Sequence, residues 1–154
     1  MKKKLLISIV SLLLILALFA GCGGGGGASS PPNTLRAYMD ANPSEWATLV
    51  AEMEADGAAM ADMFGVEVVT TLEIEGDHTM LTSVQFLDPA FTADTEIGAA
   101  FAAGLQESLD EMAFLQEEMA REIREAMGID TFYSALRYLD AAGDVLAERT
   151  FAGQ

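Results

Sequence analysis

Cysteine, histidine and basic residues are scarce in this chain of 154 residues, which has one Cys, one His and only 8 Lys and Arg against 24 Asp and Glu. One cysteine excludes an internal disulfide framework and a zinc site built from several thiolates. A formal net charge of −16 excludes nucleic acid as a direct partner, because such binding depends on cationic neutralisation of phosphates. The hydrophobic fraction of 51% is too high for a disordered acidic tail, so we expect a single domain with a core.

A basic start and a short apolar run begin the chain. Lys2, Lys3 and Lys4 precede an apolar stretch over residues 5–20 that only two serines interrupt. This stretch is shorter than the roughly 20 residues that a membrane-spanning helix needs. The pattern predicts a secretory signal peptide over residues 1–21, and an uncleaved membrane anchor is the alternative.

The end of this signal resembles a lipobox, the recognition site of bacterial lipoprotein signal peptidase, in the residues Phe19, Ala20, Gly21 and Cys22. The resemblance implies that the peptidase recognises Phe19, Ala20 and Gly21. It also implies that Cys22 is thioether-linked to diacylglycerol and becomes the mature N-terminus. Because a lipidated cysteine carries at least two acyl chains, we expect a stable anchor on the extracytoplasmic side of the cell membrane.

Removal of the signal peptide would also remove every lysine. Five arginines would then face all 24 acids, a formal charge of −19. The absence of lysine excludes Schiff-base chemistry, and the charge opposes direct contact with anionic lipids. Residues 22–33 are rich in Gly, Ser and Pro and predict a tether, which leaves residues 34–154 as a single domain.

The first half of this domain predicts two helices and a hairpin. Residues 34–41 form a short helix, and Asn42 at the N-cap with Pro43 at N1 predicts the start of a second helix that ends at Gly65. Gly57 either permits close packing or divides this helix. Residues 66–75 and 79–87 then alternate as strands.

The loop of the first hairpin determines its register. A three-residue loop at positions 76–78 places Ile74 opposite Met80 and brings the apolar sets of both strands to one face. A loop of two residues would move Met80 to the face that holds Glu67 and Glu73. Burial of the apolar residues therefore favours the three-residue loop.

The second half predicts one long helix over residues 94–127, followed by a hairpin over residues 131–140 and 145–151. Such a helix would span on the order of 50 Å, so it bends, starts later at a glycine, or extends past the sheet. Arg137 and Arg149 interrupt both apolar sets of the second hairpin, which leaves its register open. The order predicts an α+β two-layer sandwich with a four-stranded antiparallel sheet and helices on one face. The apolar stripe of the helix is Ile97, Phe101, Leu105, Met112, Leu115, Met119, Ile123 and Met127.

The layout is similar to that of a known group. The features that carry the likeness are the lipobox Cys22, the tether, the Thr34-Leu35-x-x-Tyr38 motif, Asn42-Pro43 and the order of helices and hairpins. Together they resemble the domain of unknown function 4854, a group of small lipoproteins of Gram-positive bacteria. The resemblance implies a location and a fold class but no chemistry, because the group has no established activity.

Candidate catalytic and metal-binding residues all have simpler interpretations. His78 lies beside Asp77 in a turn and five residues before Ser83, which a hydrolase could use, although turn residues are commonly only solvated. Glutamate pairs four residues apart on the long helix could hold Ca²⁺, or could form a solvated face with Arg121 paired to Glu117 or Glu125. The pairs are Glu107 with Glu111 and Glu118 with Glu122.

Methionine and aromatic residues have two interpretations as well. Met60 and Met63 have a spacing that could suit copper, but methionine is also a common core residue. The aromatic side chains could line a ligand groove or fill the core. These are Tyr38, Trp46, Tyr133 and Tyr138.

The sequence predicts no catalytic residues, no metal site and no cofactor. We therefore expect a non-enzymatic binding or surface-interaction domain, whose partner is a surface protein or a cell-wall ligand. Its binding surface would be the sheet face opposite the helices, with Glu67, Thr71 and Glu73. The alternatives are an enzyme that uses carboxylates such as Glu73 or Glu75, and a structural lipoprotein whose long helix pairs with a second copy.

Overall fold

Four helices, one 3-10 turn and four strands make up the described part of the chain. The computed structural model describes residues 32–154, apart from the side chains of Met60, Met63 and Phe64. The order of helices, hairpin, helices and hairpin is the α+β order that the sequence predicts. The elements are α1 (Leu35–Ala41), α2 (Pro43–Phe64), β1 (Val68–Glu75), β2 (Thr79–Phe86), the 3-10 turn (Pro89–Phe91), α3 (Glu96–Glu111), α4 (Ala113–Met127), β3 (Tyr133–Leu139) and β4 (Val145–Ala152).

Asn42 and Pro43 form the corner between α1 and α2. Proline suits the first position of α2, because the amide that it lacks would have no helical partner there. The Asn42 side chain does not cap α2, contrary to the expectation from its position. Its Nδ2 donates to the Tyr38 carbonyl at 2.8 Å and so secures the end of α1.

Gly57 allows α2 to lie close to β1. The helix continues without a break through this residue and ends at Gly65, which has a left-handed φ of 66°. A Cβ at Gly57 would lie 2.6 Å from the Oγ1 atom of Thr70 on β1. Of the two roles that the sequence left open, close packing is therefore the correct one.

The first hairpin has the predicted register. Ile74 pairs with Met80 and Val68 pairs with Phe86, across a three-residue loop. Gly76 in this loop has a φ of 64°, a conformation that side chains other than glycine rarely adopt. The confirmed register places Leu72 on the face that meets the helices.

The long helical segment is broken at Met112 into α3 and α4. It begins at Glu96, where the Thr95 hydroxyl caps it by accepting from the Gly98 amide at 2.9 Å. The break agrees with the bend, one of the three alternatives that the sequence left open, but the predicted stripe is partly wrong. Ile97 is 63% exposed, whereas Leu109, which the stripe omits, is fully buried. Helical periodicity cannot show where the sheet beneath a helix ends.

The sheet is mixed, so the expectation of an antiparallel sheet is wrong for its central pair. Its strand order is β1-β2-β3-β4, with antiparallel hairpins at both edges and β2 parallel to β3. The segment from α3 to α4 connects the end of β2 to the start of β3. The start of β3 lies beside the start of β2, where the Tyr133 amide donates to the His78 carbonyl at 2.9 Å. A connection of this kind makes successive strands parallel.

All core packing by the helices lies on one face of the sheet, as predicted. One cluster joins α1, α2 and α4 to residues such as Leu72 and Met80. A second cluster joins Leu109 and Met112 to Phe151 on β4. The strand registers place these strand residues on the same side, which leaves the opposite side without a helical layer in the described chain.

Candidate functional site on the open face of the sheet

The side of the sheet opposite the helices is called the open face. It is formed by alternate residues of each strand, and none of its side chains belongs to either core cluster. The predicted Thr71 and Glu73 lie on it, and Glu67 continues the ladder by accepting from the Leu87 amide at 2.9 Å. Three rows cross all four strands: Glu75, Thr79, Tyr133 and Ala152; Glu73, Leu81, Ala135 and Thr150; and Thr71, Ser83, Arg137 and Glu148.

The centre of the open face is apolar and closed to solvent. Leu81 and Ala135 are neighbours on the central strands, and each is only 2% exposed. No helix covers them in the described structure. These two residues are called the apolar floor of the open face.

Arg137 is the main polar group above this floor. Its Nε donates to Glu148 Oε2 at 2.5 Å, and its Nη2 lies 3.6 Å from Glu75 Oε1. The registers place Leu81 on the diagonal between Arg137 and Glu75, so this ion pair passes over the leucine. The hydrogen bond to Glu148 raises the pKa of Arg137 above its ordinary value.

Carboxylates outnumber cations on the open face. Glu75 and Glu148 share Arg137, whereas Glu67 and Glu73 take part in no ion pair within residues 32–154. Both of these unpaired glutamates are exposed. The face therefore carries a net negative charge that attracts a cationic group.

Asp140 secures the end of the face at the β3–β4 turn. It is fully buried, and its carboxylate accepts from the Ala93 amide at 3.1 Å and from the Ala142 and Asp144 amides at 2.9 Å. These hydrogen bonds, that of Ala93 foremost, lower the pKa of Asp140. The backbone carbonyl of Asp140 accepts from Gln85 Nε2 at 3.1 Å, which ties β2 to the same turn.

Sequence reasoning missed Arg137 and Asp140 as organisers of this region. The signal for Asp140 was present, because an aspartate before Ala-Ala-Gly is typical of a turn whose carboxylate bonds the following amides. The contacts of Arg137 had no such local signal, since Glu75 comes from the other hairpin.

The His78 and Ser83 pair considered for a hydrolase is divided between a turn and a strand. His78 is half-buried in the β1–β2 turn, and its Nδ1 atom is buried without a hydrogen-bond partner among the described residues. Ser83 is half-buried on the open face, between Thr71 and Arg137 in its row. No hydrogen bond joins His78 to Ser83 in the described structure.

The helical glutamates lie on the surfaces of α3 and α4. Arg121 pairs with Glu118 at 3.6 Å, so the predicted pairs with Glu117 and Glu125 are wrong. The spacing of three residues brings two side chains together as well as a spacing of four. Among the described residues, no group of three or more His, Cys, Asp or Glu side chains is placed to hold a metal ion.

The aromatic residues do not form one groove. Tyr38 donates to Glu45 Oε2 at 3.2 Å, Trp46 packs against the first core cluster, and Tyr138 stacks on Phe86 on the helix side. Only Tyr133 lies on the open face. The side chains of Met60 and Met63 lie outside the described structure, so the copper hypothesis stays untested.

The predicted lipidation site also lies outside the described residues. This applies to Cys22, to Phe19, Ala20 and Gly21, and to the tether as far as residue 31. Within residues 32–154, no helix has the length and apolar character needed to cross a membrane.

Comparison with known proteins does not assign the chain to a group. No family model, no curated protein and no solved structure matches it. The resemblance to the domain of unknown function 4854 therefore stays a prediction.

Proposed function

We propose that this chain is a lipid-anchored extracytoplasmic protein whose domain binds a positively charged partner on the open face of its sheet. The anchor would be a diacylglyceryl group on Cys22, and the resemblance to lipoproteins of Gram-positive bacteria agrees with this location. In this proposal the partner is a basic surface protein or a cell-wall ligand that carries amines. The domain binds it without catalysing a reaction.

One observation supports the binding proposal above the others: the open face holds four glutamates and a single arginine on a four-stranded sheet. Cross-strand neighbours on one face lie about 5 Å apart, so the sheet holds these carboxylates at fixed spacings. Leu81 and Ala135, each 2% exposed, lie between these carboxylates. The high negative charge of the mature chain would also attract a cationic partner over a distance.

An octalysine peptide serves as the probe for this face. The full chain in a non-ionic detergent is titrated with the peptide by calorimetry at low salt. Glu73→Lys should weaken binding several-fold, because it reverses an exposed, unpaired charge of the proposed site. Glu107→Lys on the exposed surface of α3 changes the net charge equally and is the matched control. Equal losses for both variants would show that the peptide responds only to net charge, which contradicts the proposal.

Acyl labelling tests the anchor independently. Cys22→Ser should abolish incorporation of a labelled fatty acid and cleavage by lipoprotein signal peptidase, because serine cannot form the thioether. Ser29→Ala in the tether should leave both unchanged. Labelling that persists in Cys22→Ser would refute the anchor and leave the proposal for the open face unaffected.

A further inference from the structure

A second surface feature lies at the edge of the sheet, away from the centre of the open face. It is a groove of about 440 Å³ between the start of α4 and the end of β4. Phe114, the second residue of α4, is 78% exposed beside it. The groove is lined by Phe114, Glu117, Glu118, Arg121, Ala152 and Gln154.

The backbone of β4 is open to pairing beside this groove. β4 is the last strand of the sheet, so no described strand pairs with its outer side. The Gly153 amide donates to the Phe132 carbonyl at 3.0 Å, so the backbone groups of Gly153 are directed toward β3. In an antiparallel pair, the residues whose N–H and C=O groups face the partner strand alternate with residues whose groups face away from it. Ala152 and Thr150 therefore direct their N–H and C=O groups to the free edge.

Close packing fixes the two walls of the groove relative to each other. A Cβ at Gly153 would lie 2.5 Å from the carbonyl oxygen of Ala120 on α4. The end of β4 thus rests directly on the helix backbone. A groove formed by two such packed elements is present before a ligand arrives, which lowers the entropic cost of binding.

The rim of the groove favours a cation. Arg121 lies 3.6 Å from Glu118, whereas no ion pair of the described chain uses Glu117. Glu117 is exposed one turn after Phe114 and so lies on the same side of α4. A basic side chain at this position would find an unpaired carboxylate next to an aromatic ring, and both attract cations.

We infer that this groove docks an extended basic segment of a partner protein by strand addition to β4. The segment pairs its backbone with Ala152 and Thr150, places an apolar side chain against Phe114, and brings a lysine or arginine to Glu117. Strand addition of this kind draws affinity from main-chain hydrogen bonds and specificity from alternate side chains. The inference is independent of the proposal for the open face, because Glu73 does not line the groove.

Fluorescence anisotropy of a labelled peptide, acetyl-Lys-Thr-Leu-Thr-Lys-amide, tests the inference on the full chain in non-ionic detergent. Phe114→Ser should reduce affinity about tenfold, as loss of an aromatic anchor commonly does. A probe with N-methylated threonines should lose a similar factor, because it cannot donate to the strand edge. Ile97→Ser, which also removes an exposed apolar side chain but lies outside the groove, should leave affinity within about twofold.

Three outcomes would overturn the inference. Unchanged affinity of Phe114→Ser would show that the groove is not the site, and equal binding of the N-methylated probe would exclude strand addition. Self-association that Phe114→Ser abolishes would show that a second copy of this chain occupies the groove instead. Glu73→Lys should leave peptide binding within about twofold, so failure at the groove is distinguishable from failure at the open face.

Discussion

The two hairpins of the sheet differ in how clearly their sequences show which residues face the core. In the first hairpin the apolar residues alternate without interruption, and the predicted register is correct. In the second, Arg149 lies on the helix side, where it pairs with Asp110 of α3 and its guanidinium carbon lies 5.8 Å from the centre of the Phe151 ring. Arg137 lies on the open face.

This difference shows that a charged residue does not by itself identify the solvent face of an edge strand. β4 is at the edge, so the long side chain of Arg149 can cover apolar surface with its methylene groups while its charge reaches Asp110. A position in the middle of the sheet would not allow this. The pattern of polar residues is therefore most informative where no long cationic side chain lies near an edge.

The largest expected effect tests the core beneath the second hairpin. Phe151 is fully buried against Leu109 and Met112, so Phe151→Ala should lower the free energy of unfolding by about 3–5 kcal/mol. Val145→Ala in the same strand, 54% exposed, should change it by no more than about 0.5 kcal/mol. The midpoints of urea unfolding measure both changes. Similar midpoints for the two variants would show that the buried and exposed faces of β4 are assigned wrongly.

The next effect tests the faces of the first hairpin. Leu72 is 8% exposed in the first core cluster, so Leu72→Ala should cost about 2–5 kcal/mol. Glu73→Ala on the open face should cost at most about 0.5 kcal/mol. Urea unfolding of the pair would contradict the assigned faces if the two losses were equal.

Substitutions at two helical glycines should have smaller effects on the free energy of unfolding. Gly57→Ala should destabilise by about 1–3 kcal/mol, because its Cβ would overlap the Thr70 hydroxyl. Gly104→Ala on α3 meets nothing within 4 Å and should stabilise by roughly 0.5–1 kcal/mol through helix propensity. Thermal unfolding followed by circular dichroism shows whether each variant is less or more stable than the parent chain. Stabilisation by Gly57→Ala would show that α2 does not lie as close to β1 as described.

The smallest effect is confined to acidic conditions. The pKa of Asp140 is lower in the folded chain than its ordinary value of 3.8, so its charge stabilises the fold above that value. This contribution is lost as the pH falls through the folded pKa. Asp140→Asn should therefore destabilise at neutral pH and make stability fall less between neutral pH and strong acid. Parallel pH profiles of the variant and the parent chain would contradict this role.

The part of the candidate site on the first hairpin could be predicted from the sequence, because it follows from strand alternation. The places of Thr71 and Glu73 on the open face required only a period of two and the three-residue loop. The places of Tyr133, Arg137 and Glu148 required the register of the second hairpin, which the pattern left open. The groove at Phe114 required the break at Met112 and the contact between Gly153 and Ala120, neither of which has a local signal.

By itself the sequence determined the order of helices and hairpins, the first register and the side of the sheet that meets the helices, because these depend on short-range periodicity, turns and burial. Only the tertiary structure decided that β2 and β3 run parallel, that Gly57 and Gly153 are contact points, and that Arg137 joins Glu75 to Glu148. Each of these depends on where distant segments meet. Contacts between distant segments depend on the packing of the whole chain, so no single stretch of residues specifies them.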